Sequence, residues 1–119
     1  MHKFHDHSLE LEKIIEKIPS YDEAKKLADT LQVLSDPTRI RILWILCHTN
    51  ECVTDIGIAI GMSAPAVSHH LKLLKQLNLI KNNKVGKEMQ YTIADTPEAN
   101  LIHKYIEDML QISCPKKKE

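Results

Sequence analysis

Residues 53–78, VTDIGIAIGMSAPAVSHHLKLLKQLN, decide the fold of this chain. Two helical patterns lie on either side of Gly61-Met62-Ser63. In the first, Thr54 is a natural N-cap, Asp55 suits the positive helix end, and Gly61 closes the helix. In the second, Ser63 caps, Pro65 sits in the first turn, and Ala66, Val67, Leu71 and Leu74 recur at the spacing of one helix face. A helix of about eight residues, a tight turn and a helix of about thirteen make a helix-turn-helix.

The flanking segments extend this motif into a domain. After Asn78 the period changes, and LIKNNKV (79–85) and KEMQYTI (87–93) read as two strands around Val85-Gly86-Lys87, a hairpin. Asp95, Thr96 and Pro97 then start a last helix, with Leu101, Ile102, Tyr105, Ile106, Met109 and Leu110 on a broad apolar face. Upstream, Asp36 caps and Pro37 opens a helix over 37–48, with Ile40, Leu43, Trp44 and Cys47 on one side. Ser20 and Glu23 form a capping-box signature ahead of a helix reaching Leu34, with Ala24, Leu27, Ala28 and Leu31 on its stripe. SLELEKIIEKI (8–18) places Leu11, Ile14, Ile15 and Ile18 at helical spacing, and Pro19 ends it.

The expected fold is mainly α with a small β-hairpin wing: a winged helix-turn-helix, and a dimeric one. The first and last helices are more apolar than a small domain needs, so they are expected at a dimer interface. The expected organisation is a flexible His-rich tip (1–7), a winged-helix DNA-binding and dimerisation domain (8–113) and a basic, disordered tail (114–119).

The chain has 119 residues, enough for one domain, with 43% hydrophobic and only 4% aromatic residues. No apolar run approaches the ~20 residues of a membrane helix, and MHKFHDHSLE is too polar for a signal peptide, so a cytoplasmic location is expected. The formal net charge is zero but unevenly distributed. Residues 63–91 hold Lys72, Lys75, Lys81, Lys84 and Lys87 against Glu88 alone, while 1–36 and 95–113 are each net acidic. One basic block in a neutral chain points to a localised polyanion-facing surface; its ordinary alternative is a solvated lysine-rich face.

A recognition helix needs an apolar inner face, short polar or cationic outer groups and an N-terminal end that enters the major groove. Ser63 and Ala64 at the tip, with Ser68, His69, Lys72 and Lys75 outward, meet that need. Ser and His can bond base edges or phosphates, and the lysines suit phosphates. Lys84 and Lys87 place cations on the wing. His70 belongs to the same set, either leaning toward the core or supporting the helix from behind.

LADTLQVLSDPTRIRILWIL (27–46), ECVTDIG (51–57), MSAPAVSHHLKLLKQLNLI (62–80) and KVGKEMQYTI (84–93) together resemble the ArsR/SmtB bacterial repressors. The resemblance covers roughly residues 22–112 and is most specific in D-P-T-R-I-R-I-L (36–43). It implies a homodimer of winged helices, joined through the first and last helices, that binds operator DNA and releases it when an inducer binds. Two-fold symmetry implies an imperfect inverted repeat as operator.

The family senses metal ions, metalloids or reactive sulfur. One family site begins with C-V-C at the start of the first helix of the motif, completed by N-terminal ligands of the other subunit. Here Cys52-Val53-Thr54 keeps the first thiol only, and His2, His5 and His7 are the available partners. Cys52 with two or three histidines suits Zn or another divalent thiophilic metal as effector. A second family site lies on the last helix. Asp95 matches it, but Pro97 stands where a His is expected, and the later positions fall near Asp108 and Gln111. His103 and Glu107, spaced i,i+4, can share a face. A third mode is a dithiol sensor, open to Cys47 or Cys52 with Cys114, where lysines 116–118 would favour the thiolate.

The leading expectation is a metal-responsive repressor of the Zn/Cd type. A thiol-redox or reactive-sulfur repressor is the rival of the same fold, and a winged-helix protein-interaction module without DNA is the rival of another class. Catalysis is the weakest reading: there is no Gly-rich phosphate loop, and helical geometry points Cys47 and His48 apart.

Overall fold

The computed structural model describes residues 8–111. The chain forms two compact units, divided in sequence after Leu31. The first unit holds α1 (Ser8–Glu16) and most of α2 (Tyr21–Leu34). The expected capping box is present: the Glu23 amide donates to Ser20 Oγ and the Ser20 amide to Glu23 Oε1, both at 3.1 Å. Hydrogen bonding by Ser20, its backbone amide first, holds the Glu23 carboxyl below the usual carboxylate range. The apolar spacing is helical but the stripe is not covered: Leu9, Ile14, Ile18, Leu27 and Leu31 are all exposed, and no residue of α2 is buried.

The second unit runs α3 (Pro37–Leu46), β1 (Glu51–Cys52), α4 (Val53–Ile60), α5 (Ala64–Gln76), β2 (Ile80–Val85), β3 (Glu88–Ile93) and α6 (Pro97–Leu110). Its core is Ile42, Leu43, Leu46, Ile56, Val67, Leu71, Leu74 and Leu79, each at most 1% exposed. Burying a Leu or Ile side chain is worth about 1.5–3 kcal/mol, so this cluster is what fixes α3, α4 and α5 against one another. The expected inner face of α3 is shifted. Ile42 and Leu46 lie deepest beside Leu43, whereas Ile40 and Trp44 are only partly covered.

The helix-turn-helix is set by local chemistry. α4 ends at Gly61, at φ +72°, and the Met62 amide donates to the Gly57 carbonyl at 2.9 Å. Gly57 is required by space: a Cβ there would stand 2.6 Å from the Met62 carbonyl oxygen. Ser63 Oγ accepts from the Ala66 amide, Pro65 lies in the first turn, and Val67, Leu71 and Leu74 turn inward. Asn78, at φ +59°, ends the second helix and turns the chain into β2.

The wing is larger than a hairpin. β2 and β3 pair antiparallel from Ile80↔Ile93 to Val85↔Glu88, with Gly86 at φ +63° in the two-residue loop. β1 adds to the free edge of β3 through Glu51↔Tyr91 and Cys52↔Gln90, so the sheet order is β1-β3-β2. This pairing corrects the expected helix start. Cys52, held extended by the sheet, occupies the N-cap position of α4 and makes no side-chain cap bond; Thr54 lies inside the first turn and is exposed. α6 begins as expected, with Thr96 Oγ1 accepting from the Ala99 amide and donating to the Asn78 carbonyl. Its apolar face divides: Ile106 is buried and Ile102 packs on the core, while Leu101, Tyr105, Met109 and Leu110 are exposed.

Candidate nucleic-acid interface and effector residues

The outer face of α5 carries Ala64, Ser68, His69, Lys72 and Lys75, all exposed, opposite fully buried Val67, Leu71 and Leu74. Ser63 is exposed too, but its oxygen already serves as the helix cap. Lys84 and Lys87 flank the exposed tip of the wing. A single rigid helix thus offers hydroxyl, imidazole and ammonium groups outward, with further cations on a flanking ribbon. Such a surface can bond phosphates and base edges; nothing in it is arranged to activate a nucleophile.

His70 has a different position from its neighbours. It is half-buried, and its Nδ1 accepts from Arg39 Nε at 3.1 Å. Arg39 also donates through Nη1 to the Val33 carbonyl at 3.0 Å. The pair ties α5 to α3, so His70 supports α5 from behind and is not part of its outer face. Asp36 completes the arrangement by accepting from the Thr38 and Arg39 amides at 2.7 and 3.2 Å. Burial pushes its carboxyl up, but those amides and the nearby Arg39 charge outweigh that and hold it below the usual range. Arg39 is the residue that pattern reading passed over. The signal was present in D-P-T-R, where the cap and the arginine are three residues apart.

Cys52 is half-buried at the junction of β1 and α4. Cys47 is 8% exposed, on the turn that closes α3. His2, His5, His7 and Cys114, the other groups expected at a sensor, lie outside the described residues. Asp95 is exposed just before the Thr96 cap, Pro97 takes the first position of α6, and Asp108 and Gln111 are exposed.

Residues 36–82, which span α3, the helix-turn-helix and the start of β2, match the bacterial regulatory proteins of the arsR family. The transcriptional repressor SmtB homolog of Synechocystis sp. is 33% identical over 107 residues, covering 90% of this chain and 80% of that protein.

The chain belongs to the ArsR family.

Two further comparisons agree with this assignment. The cadmium resistance transcriptional regulatory protein CadC homolog of Staphylococcus aureus is 38% identical over 79 residues, covering 66% of this chain and 65% of that protein. The fold is that of NolR from Sinorhizobium fredii, with a TM-score of 0.71 at 21% identity over 95% of this chain and 100% of that one. Members of the ArsR family are transcriptional regulators, not enzymes. The winged helix-turn-helix expected from the sequence is therefore present, and no helix among the described residues is long and apolar enough to cross a membrane.

The structure also gathers a group that spacing did not show. His48, on the turn after α3, lies beside His103 and Glu107 of α6, with one ligand-type atom of each within 4.8 Å of the others. His103 and Glu107 are paired through Nε2 and Oε1, as their i,i+4 spacing allows. His48 is brought to them only by the packing of α3 on α6.

Proposed function

We propose that this ArsR-family chain is a homodimeric transcriptional repressor. Its α5 enters the major groove of an inverted-repeat operator, the wing lysines Lys84 and Lys87 hold flanking phosphates, and a divalent thiophilic or borderline ion of the Zn/Cd type releases the complex. The observation that carries the DNA half is the two-sided α5: a fully buried apolar face sets its position, and Ser68, His69, Lys72 and Lys75 stand exposed on the other. The metal half is supported by the likeness to a cadmium resistance regulator and by the place of Cys52. That thiol ends β1 and immediately precedes the first helix of the motif, so a ligand there bears directly on the orientation of α4 and α5. His2, His5 and His7 would complete its coordination; with Thr54 in place of a second thiolate the set is mixed N/S, which suits Zn or Cd.

The test is fluorescence anisotropy of an inverted-repeat duplex from the chain's own promoter, at several salt concentrations and then with metal under reductant. Specific binding that weakens steeply with salt, followed by release on adding Zn or Cd, is the expected result. Failure to bind any duplex at low salt would favour the protein-interaction alternative. Release by oxidant but not by metal would favour the thiol-redox one. Replacing Cys52 by Ser is expected to leave operator affinity intact and to raise the metal concentration needed for release at least tenfold; normal release in that variant removes Cys52 from the sensor.

A further inference from the structure

We propose that His48, His103 and Glu107 form a cation site within one protomer, separate from Cys52, that takes a borderline divalent ion such as Zn2+ through two imidazoles and a carboxylate. His48 is the key ligand. Its Nδ1 lies in hydrogen-bond contact with the Trp44 carbonyl. A carbonyl oxygen can only accept, so Nδ1 carries the proton and, in the neutral ring, Nε2 carries a lone pair. That Nε2 is buried and, among the described residues, has no hydrogen-bond partner. A buried polar atom left unpaired needs an explanation, and an ion is one of the few available. The arrangement is also the one metal-bound histidines adopt: one ring nitrogen donates to a backbone carbonyl, which fixes the ring and raises the basicity of the other.

The remaining ligands face the same place. The His48 and His103 rings meet edge to face with centroids 5.3 Å apart, and His103 Nε2 is paired with Glu107 Oε1. One ligand-type atom of each of the three residues lies within 4.8 Å of the other two. An ion bound at about 2.0–2.2 Å by each would hold them about 3.3 Å apart in a tetrahedral arrangement; His103 and Glu107, now in direct contact, part to admit it, a movement that side-chain rotation can supply. The ion enters between His103 and Glu107, displacing the hydrogen shared by that pair to solvent as a proton. A three-residue His2Glu set leaves one position for water. Nitrogen and oxygen donors favour Zn2+, Co2+ or Ni2+ over a strictly thiophilic ion.

The placement suggests what binding would do. Three residues separate His48 from Cys52, which immediately precedes α4. An ion here fastens α6 to the turn that leads into the helix-turn-helix, so occupation would bias the orientation of the recognition helix. That coupling, unlike the site itself, rests on the repressor reading.

The experiment is Co2+ titration of the full-length reduced protein, followed by absorption, with Zn2+ competition for affinity. Visible ligand-field bands without a sulfur-to-metal charge-transfer band are expected from this site. They should persist in Cys52→Ser and lose at least tenfold in affinity in His48→Gln and in Glu107→Gln. Glu107→Gln keeps a hydrogen-bond acceptor for His103 and serves if His48→Gln does not fold, as judged by circular dichroism. Unchanged Co2+ affinity in a folded Glu107→Gln, or bands that vanish entirely with Cys52→Ser, would overturn the site. Anisotropy separates the two ideas. Metal bound through these residues with no change in operator affinity upholds the site and removes the coupling; absence of duplex binding counts against the repressor reading alone.

Discussion

At the scale of single residues, the positions that matter most are those whose backbone neighbours leave no alternative. Gly57 stands against the Met62 carbonyl, so Gly57→Ala must push the turn of the helix-turn-helix apart. Overpacking of this kind costs about 1–3 kcal/mol, and urea denaturation should show a loss of that size with the slope unchanged. Asp36 stabilises α3 as its cap, a role worth on the order of 1 kcal/mol. Its folded pKa lies below the ordinary value of 3.8, so its charge-linked stability is present above that value and is lost as pH falls through the lower, folded one. Asp36→Asn keeps the capping geometry without the charge. The stability gap between wild type and Asp36→Asn should be constant from neutral pH down to about 5 and close below about 4; a gap that widens on acidification would refute the sign. The caps at Ser20, Asp36 and Ser63 were legible from sequence because each depends on neighbours within a few residues; at α6 the sequence marked the start over Asp95, Thr96 and Pro97 without naming the cap. The misplaced cap at Thr54 shows the limit of that reasoning. Cys52 is held extended by pairing with Gln90, a partner far along the chain, and the helix starts where that pairing ends.

At the scale of elements, the proposed interface gives α5 and the wing distinct electrostatic duties. Each phosphate contact that a lysine makes contributes about 0.9 to the slope of log affinity against log salt on duplex DNA. If Lys84 and Lys87 hold flanking phosphates as proposed, the double variant Lys84→Glu/Lys87→Glu is expected to reduce that slope by about two while leaving base preference unchanged. An unchanged slope would move the DNA off the wing. α5 and the hairpin were legible because apolar residues recur at 3.6 on one and extended runs flank Gly86 on the other. The third strand was not, since a two-residue segment has no period of its own and exists only where β3 offers an edge. The Arg39–His70 link is of the same kind: both residues are plain in the sequence, but their contact is made by the crossing of α3 and α5.

For the whole molecule, the feature left unexplained by one chain is exposed apolar surface. Leu101, Tyr105 and Met109 of α6 are 68%, 61% and 63% exposed, more than scattered surface residues account for. A homodimer that covers α6 is the natural account, and it would set the spacing of two recognition helices on an inverted repeat. Leu101→Glu combined with Tyr105→Glu should shift the protein to monomer in sedimentation velocity and weaken operator binding at least tenfold, with the secondary structure retained. Dimers of unchanged stability would place the interface elsewhere. Within α6 the sequence pattern marked a broad apolar face, and only packing shows that it serves two purposes, Ile102 and Ile106 inward and the others outward.

By itself the sequence determined the helices, the caps at Ser20, Asp36 and Ser63, the turn of the helix-turn-helix and the basic block. Each rests on periodicity, local hydrogen bonding or charge that acts over a few residues. Tertiary structure alone decided the three-stranded sheet, the cap at Cys52, the support of α5 by Arg39 and the meeting of His48 with His103 and Glu107. Those depend on side chains distant in the chain being carried to within a few ångströms by burial of a common core, and no local pattern records where that core will bring them.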